Sequence, residues 1–157
     1  MNKKILYLVI AIVVLAIVVG VCFFMGNGKS KNLDLQQLNT SLSEKSPFNE
    51  MATMDVTTEE LSMLLEINPE DVEAVIGKVP LMNVHASMYL VIEAKDGLVD
   101  TVKEKVDNYA QAQEKQWETY LPEQYELVKQ RKSGVMGNYV YLIVAESAAE
   151  LEELITK

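Results

Sequence analysis

The chain has 157 residues, 49% of them hydrophobic, with 14 basic and 23 acidic side chains, one histidine and one cysteine. A formal charge of −9 argues against nucleic acid and anionic lipid headgroups as partners, because like charges repel. A single cysteine leaves no disulfide inside the monomer, and with a single histidine it is too little for a typical zinc site.

Behind Met1, Asn2, Lys3 and Lys4 an apolar run extends from Ile5 to Met25, free of charge and of proline. Its 21 residues reach roughly 31 Å as a helix, enough to cross a hydrocarbon core. It has no polar face to turn to water, as a soluble core helix would need. A cleaved signal peptide is the alternative, but its apolar core is shorter and ends at small residues, whereas this one leaves through Phe23, Phe24 and Met25. Cys22 follows Val19, Gly20 and Val21; lipid attachment wants a small residue immediately before the cysteine, so Cys22 reads as a small apolar residue facing lipid. Lys3 and Lys4 on one flank against Lys29 and Lys31 on the other favour a cytoplasmic amino end by a narrow margin.

The sequence therefore predicts a cytoplasmic terminus at 1–4, a transmembrane signal-anchor helix at 5–25 with the lipid bilayer as its partner, a flexible linker at 26–31 and a soluble domain at 32–157. Gly26, Asn27, Gly28, Lys29 and Ser30 resemble half a phosphate loop, but they follow an apolar helix where that motif needs a strand. From Asn32 onward ten basic residues face 23 acidic ones, a charge of −13. Solubility explains such an excess, and attraction for a cationic partner is the second reading.

Within the domain, Leu33, Leu35, Leu38 and Leu42 predict a short amphipathic helix after Asn32, ending in the turn from Ser43 to Pro47, with Phe48 tucked into the core. Thr57 and Glu60 form a capping box ahead of Leu61, Leu64 and Leu65. Asn68, Pro69, Glu70 and Asp71 predict another helix start, with Val72, Val75 and Ile76 inward and Gly77 as its stop. Alternation over 83–95 predicts a strand with Val84, Ala86, Met88, Leu90, Ile92 and Ala94 on the buried face and His85, Ser87, Tyr89 and Val91 on a wetter one. A long helix follows over 98–120, striped by Val99, Val102, Val106, Tyr109, Gln113, Trp117 and Tyr120. Residues 125–135 and 139–145 read as two strands, the first a lysine- and arginine-protected edge, the second central. Ser147 and Glu150 suggest a second capping box opening a closing helix.

The expected fold is α+β: a small, mostly antiparallel three-stranded sheet packed by a long helix and shorter ones. A right-handed crossover places the last strand between the first two, the split β-α-β part of a ferredoxin-like fold.

Reactive constellations are scarce. His85 near Ser87, or with Ser133, lacks the nucleophile elbow and oxyanion turn that acyl chemistry uses. Glu70, Asp71 and Glu73, and Glu150, Glu152 and Glu153, sit at helix starts where the dipole accounts for them, and neither set has calcium-loop spacing. Tyr89, Tyr120, Tyr125, Tyr139 and Tyr141 suit packing at sheet and helix edges, or a patch that recognises a peptide or glycan. No catalytic, metal or cofactor residue is expected; the candidates for binding are Tyr89, His85 and Tyr141.

Pro47-Phe48, the strand from Val84 to Lys95 running into Asp96-Gly97, the stretch from Gln116 through Trp117, Tyr120 and Leu121 to Pro122, and Gly137-Asn138-Tyr139-Val140 resemble one family. It is a domain-of-unknown-function family, number 4358 in that series, of anchored proteins and lipoproteins from anaerobic Gram-positive bacteria. The resemblance covers 33–155, implies a domain outside the cytoplasm, and brings no catalytic residue to carry over. The expected function is a non-enzymatic, membrane-tethered module of the cell envelope that binds or organises a protein or glycan. The alternatives are a sensory domain holding a small molecule or peptide between sheet and helices, and a hydrolase with a dispersed carboxylate pair.

Overall fold

Residues 32–157 are those that the computed structural model describes. The transmembrane helix expected at 5–25 and its linker lie outside them; among the described residues no helix is long and apolar enough to cross a membrane. In chain order come α1 (Leu35–Ser43), β1 (Thr53–Asp55), α2 (Thr58–Leu65), a 3-10 turn (Pro69–Asp71), β2 (Val72–Pro80), β3 (Met88–Ala94), α3 (Val99–Glu118), α4 (Pro122–Lys129), β4 (Lys132–Met136), β5 (Tyr139–Val144) and α5 (Ala148–Thr156).

The strands form one five-stranded sheet in the order β1-β2-β3-β5-β4, antiparallel at every step. β5 lies between β3 and β4, so β3 and β4 are parallel and joined by α3 and α4, the split β-α-β arrangement expected. The expected three strands become five because β1 and β2 extend the other side of β3. Asn68 does cap a turn, its Oδ1 accepting from the Glu70 N–H at 3.1 Å, but that turn is a single 3-10 one and the chain then extends. Val75 packs on one face of the sheet and Ile76 on the other, as successive strand residues must. Gly77 is therefore no helix stop; it lies opposite Leu90 in the ladder.

The segment 125–135 is corrected in the same way. Pro122 occupies the first turn of α4, where its missing N–H costs nothing. Val128 is turned into the core, and the strand begins only at Lys132. Of the three cations assigned to an edge, only Lys132 lies on one; Lys129 pairs with Glu126 along α4 and Arg131 with Glu114 of α3.

Helices cover both faces of the sheet. On one, Val102, Val106, Ala110 and Trp117 of α3 and Leu61 and Leu65 of α2 pack on Leu90, Ile92, Val140 and Leu142. Gln113 belongs in that stripe because its Oε1 accepts from the Trp117 indole N–H at 3.3 Å, the partner a buried indole requires. On the other, Leu38 and Leu42 of α1, Phe48, and Leu151 and Ile155 of α5 pack on Tyr89, Val91, Tyr141 and Ile143. The expected wet face of β3 is thus dry: Tyr89 and Val91 are 0% exposed. The architecture is a three-layer α+β domain.

The first capping box forms, with Thr57 and Glu60 bonding reciprocally. The second does not. Ser147 Oγ donates instead to the Ser46 carbonyl at 2.8 Å, and Glu150 pairs with Lys45 at 2.9 Å, tying the start of α5 to the turn after α1. Asp34 caps α1, its Oδ1 accepting from the Gln37 N–H at 3.0 Å.

Candidate functional site

Four chain segments meet where β3 begins and β5 ends. Met88 pairs with Val144, so Ser87 and His85 lie just beyond one strand end, with Glu146 and Ser147 just beyond the other. The turn at Ser46 and Pro47 is held to them by Ser147, and the first turn of α4 by Gln124, whose Oε1 accepts from the Ala86 N–H at 2.7 Å. Between these walls opens a cleft of about 600 Å³ that reaches Ser46, Pro47, His85, Ser87, Gln124, Leu127, Glu146 and Ser147. A second recess of about 560 Å³ shares His85 and Gln124 with it and continues over Val84, Leu121, Pro122 and Glu123.

His85 and Ser87, paired in the sequence, do line one cleft. His85 is half-buried, and Ser87 is 7% exposed, the one buried polar side chain among the described residues. No side-chain hydrogen bond is made by either of them among the described residues, so nothing joins His85 to Ser87 or orients it as a base. Every fully buried side-chain nitrogen or oxygen among the described residues has a partner. The unpaired Ser87 hydroxyl therefore faces the cleft. Ser133 is not brought here: it lies on β4 at the level of Leu90, two strands away. Gln124 and Glu146 were missed by sequence reasoning; Pro122 at the start of a helix is the signal that places Gln124 in its first turn, against the strand end.

Tyr89, Tyr139 and Tyr141 are buried and point their hydroxyls at the outer helical layer. Tyr89 donates to Asn39 Oδ1 of α1 at 2.7 Å and meets Phe48 edge-on, with ring centres 4.8 Å apart. Tyr141 donates to Glu152 of α5 at 2.8 Å, and Tyr139 accepts from the Leu33 N–H at 3.2 Å. The Tyr141 ring crosses the edge strand where Gly134 makes room; a Cβ there would lie 2.7 Å from its Cζ. Burial first, then the Glu152 carboxylate, pushes Tyr141 up to about 12. Burial, with a smaller contribution from Asp55, raises Tyr89 as well. Two of the candidate binding residues, Tyr89 and Tyr141, thus act as latches inside the domain, and the exposed tyrosine patch does not form around them.

Neither acidic cluster gathers ligands. Glu150 and Glu153 pair with Lys45 and Lys157 while Glu152 takes the Tyr141 hydroxyl. No group of three or more His, Cys, Asp or Glu stands in position to hold a metal ion among the described residues.

Fold and cleft together define an α+β domain with an open polar cleft at one pole of its sheet. Residues 46–145 match the family described as a domain of unknown function, DUF4358, and the chain belongs to that family. The matched stretch contains all five strands, Pro47, His85, Ser87 and Gln124. No curated protein and no solved structure matches the chain.

Proposed function

We propose that this is a non-enzymatic binding module of the cell envelope, tethered through residues 5–25 with its domain outside the cytoplasm, and that it takes an envelope protein or glycan in the cleft around His85 and Ser87. The observation that carries the reading is Ser87, which is 7% exposed as a residue while its hydroxyl makes no hydrogen bond within the domain and stands open to the cleft. A hydroxyl at a cleft wall with no partner in the protein is free to bond a ligand that enters. An open cleft suits a ligand that remains part of something larger; a sensory domain would enclose its ligand, and the space between sheet and helices is filled here by packed side chains.

Asn32 and the cleft lie at opposite poles of the sheet. Asn32 and Leu33 lie beside Tyr139 at the start of β5, whereas the cleft lies beyond the end of β5. The length of β3 puts roughly 20 Å between the two poles.

Photocrosslinking of the full-length protein in envelope membranes tests the site. Ser87→Leu, which fills the cleft, and His85→Ala are each expected to cut the captured material at least five-fold while melting like the parent. Capture indifferent to both variants overturns the assignment. Sidedness is tested by protease treatment of intact cells. The domain is expected to be shaved without lysis, and a domain degraded only after lysis reverses the orientation.

A further inference from the structure

We infer that the cleft ligand is a basic, extended peptide segment, an inference that rests on the binding reading above and narrows it to one chemistry. The two recesses share His85 and Gln124, and each has one carboxylate among its lining residues, Glu146 in the first and Glu123 in the second. Both are exposed, and neither forms a salt bridge among the described residues. No lysine or arginine lines either recess, although ten follow Asn32. An unpaired carboxylate in each recess, with no cation lining either, suits a ligand carrying positive charge. The domain's excess of acids steers such a ligand inward.

The same two recesses offer what a peptide backbone needs. Gln124 spends its Oε1 on the Ala86 N–H, which leaves its amide N–H groups to donate to a ligand carbonyl. Ser87, 7% exposed as a residue, leaves its hydroxyl without a partner in the domain and open to the cleft, free to donate and to accept. Leu127, Val84 and Leu121 provide apolar wall for side chains. No Phe, Tyr or Trp lines either recess; the aromatic-lined recess that also touches His85, with Tyr109 and Trp117, is less than half the size of either, at about 250 Å³. The carboxylates and backbone-matching groups of the two larger recesses favour a peptide over a neutral glycan.

The test uses the full chain, labelled with nitrogen-15 in detergent micelles. Three probes are titrated at low salt: the blocked hexapeptide Gly-Lys-Val-Lys-Ala-Gly, its counterpart with both lysines replaced by glutamate, and neutral tri-N-acetylglucosamine. The lysine peptide is expected to shift the backbone amides of His85, Ser87 and Glu146 and the side-chain amide of Gln124, and to bind at least ten-fold more tightly than the glutamate peptide. Glu123→Gln combined with Glu146→Gln is expected to weaken it by roughly three- to ten-fold, the scale of two solvent-exposed charge pairs, and added salt to weaken it further. Tighter binding of the glutamate peptide or of the saccharide in the same cleft overturns the inference and leaves the cleft as the binding site. Unchanged affinity in the double variant, shifts outside the cleft, or no shifts with the lysine peptide also overturn it. The cleft reading itself stands or falls separately, on the crosslinking of Ser87→Leu and His85→Ala.

Discussion

Gly77→Ala is expected to destabilise the domain by about 2–4 kcal/mol, as overpacking a well-filled sheet does, and to lower its melting temperature by roughly 8–15 °C for a domain of this size. A Cβ at Gly77 would sit 2.7 Å from Leu90 Cδ2 and 2.7 Å from the Tyr89 carbonyl oxygen. The leucine methyl can rotate away. The carbonyl cannot, because β3 is hydrogen-bonded between β2 and β5 and covered on both faces. β2 must therefore move away from β3, which strains the ladder from Val72 to Lys78 and draws in Val56, whose N–H donates to the Gly77 carbonyl at 3.0 Å. Adding Leu90→Ala relieves only one of the two contacts, so the double variant should not recover the parent's stability. Thermal and urea unfolding of the single variant decide the matter. A melting temperature within a couple of degrees of the parent would mean that β2 does not lie against β3 as described. A glycine merely ending a helix would cost only about 1 kcal/mol on the same change, so the experiment also discriminates the observed strand from the helix that the sequence suggests.

That helix shows why part of the fold was legible and part was not. Asn68-Pro69-Glu70-Asp71 is a sound start signal, and it does build a capped turn. The apolar stretch behind that turn is short, and Val72, Val75 and Ile76 have a helical spacing that the strand accommodates through a register shift between Val72 and Ala74, with Val72 and Val75 in one core and Ile76 in the other. The choice between helix and strand falls to β3, whose edge needs a partner. Residues 125–135 differ for the converse reason: Tyr125, Leu127 and Val128 lack a clean period, and Pro122 marks the end of the helix before it as readily as the start of the one after it. The long stripe of α3 and the alternation of β3 were legible because each is repeated over many residues. The dryness of Tyr89 and Val91 was not, because it depends on α1 and α5 arriving on the same face from opposite ends of the domain. The site was half legible. His85 and Ser87 were visible as a pair, while Gln124 and Glu146 join them only through the topology that puts the start of α4 and the end of β5 at one pole.

The second large effect is alkaline unfolding, driven by the tyrosines of the two cores. Burial raises Tyr89, Tyr109, Tyr139 and Tyr141 above the ordinary value of 10, Tyr141 to about 12. An unfolded tyrosine loses its proton near pH 10 while its folded counterpart keeps it, so in that window the unfolded state binds fewer protons and stability falls as pH rises. The contribution of each group is complete below about pH 10 and, for Tyr141, is lost by about pH 12. Each tyrosine adds a slope of up to about 1.4 kcal/mol per pH unit. Urea unfolding is thus expected to be nearly flat from neutrality to about pH 9 and to weaken by several kcal/mol over the next two to three units, a large share of the roughly 5–15 kcal/mol that holds a typical domain together. Tyr141→Phe should cost about 1 kcal/mol near neutrality, the worth of its bond to Glu152, yet make the alkaline fall shallower by about one tyrosine's slope. Stability that stays level through pH 11, or a variant that falls as steeply as the parent, would show that these hydroxyls are not held as described. Tyr89, Tyr139 and Tyr141 face α1, the Leu33 backbone and α5, whereas Tyr109 alone packs with the opposite core. Ionisation therefore strikes the layer carrying both ends of the domain first, and hydrogen exchange at high pH should open α1 and α5 before α3.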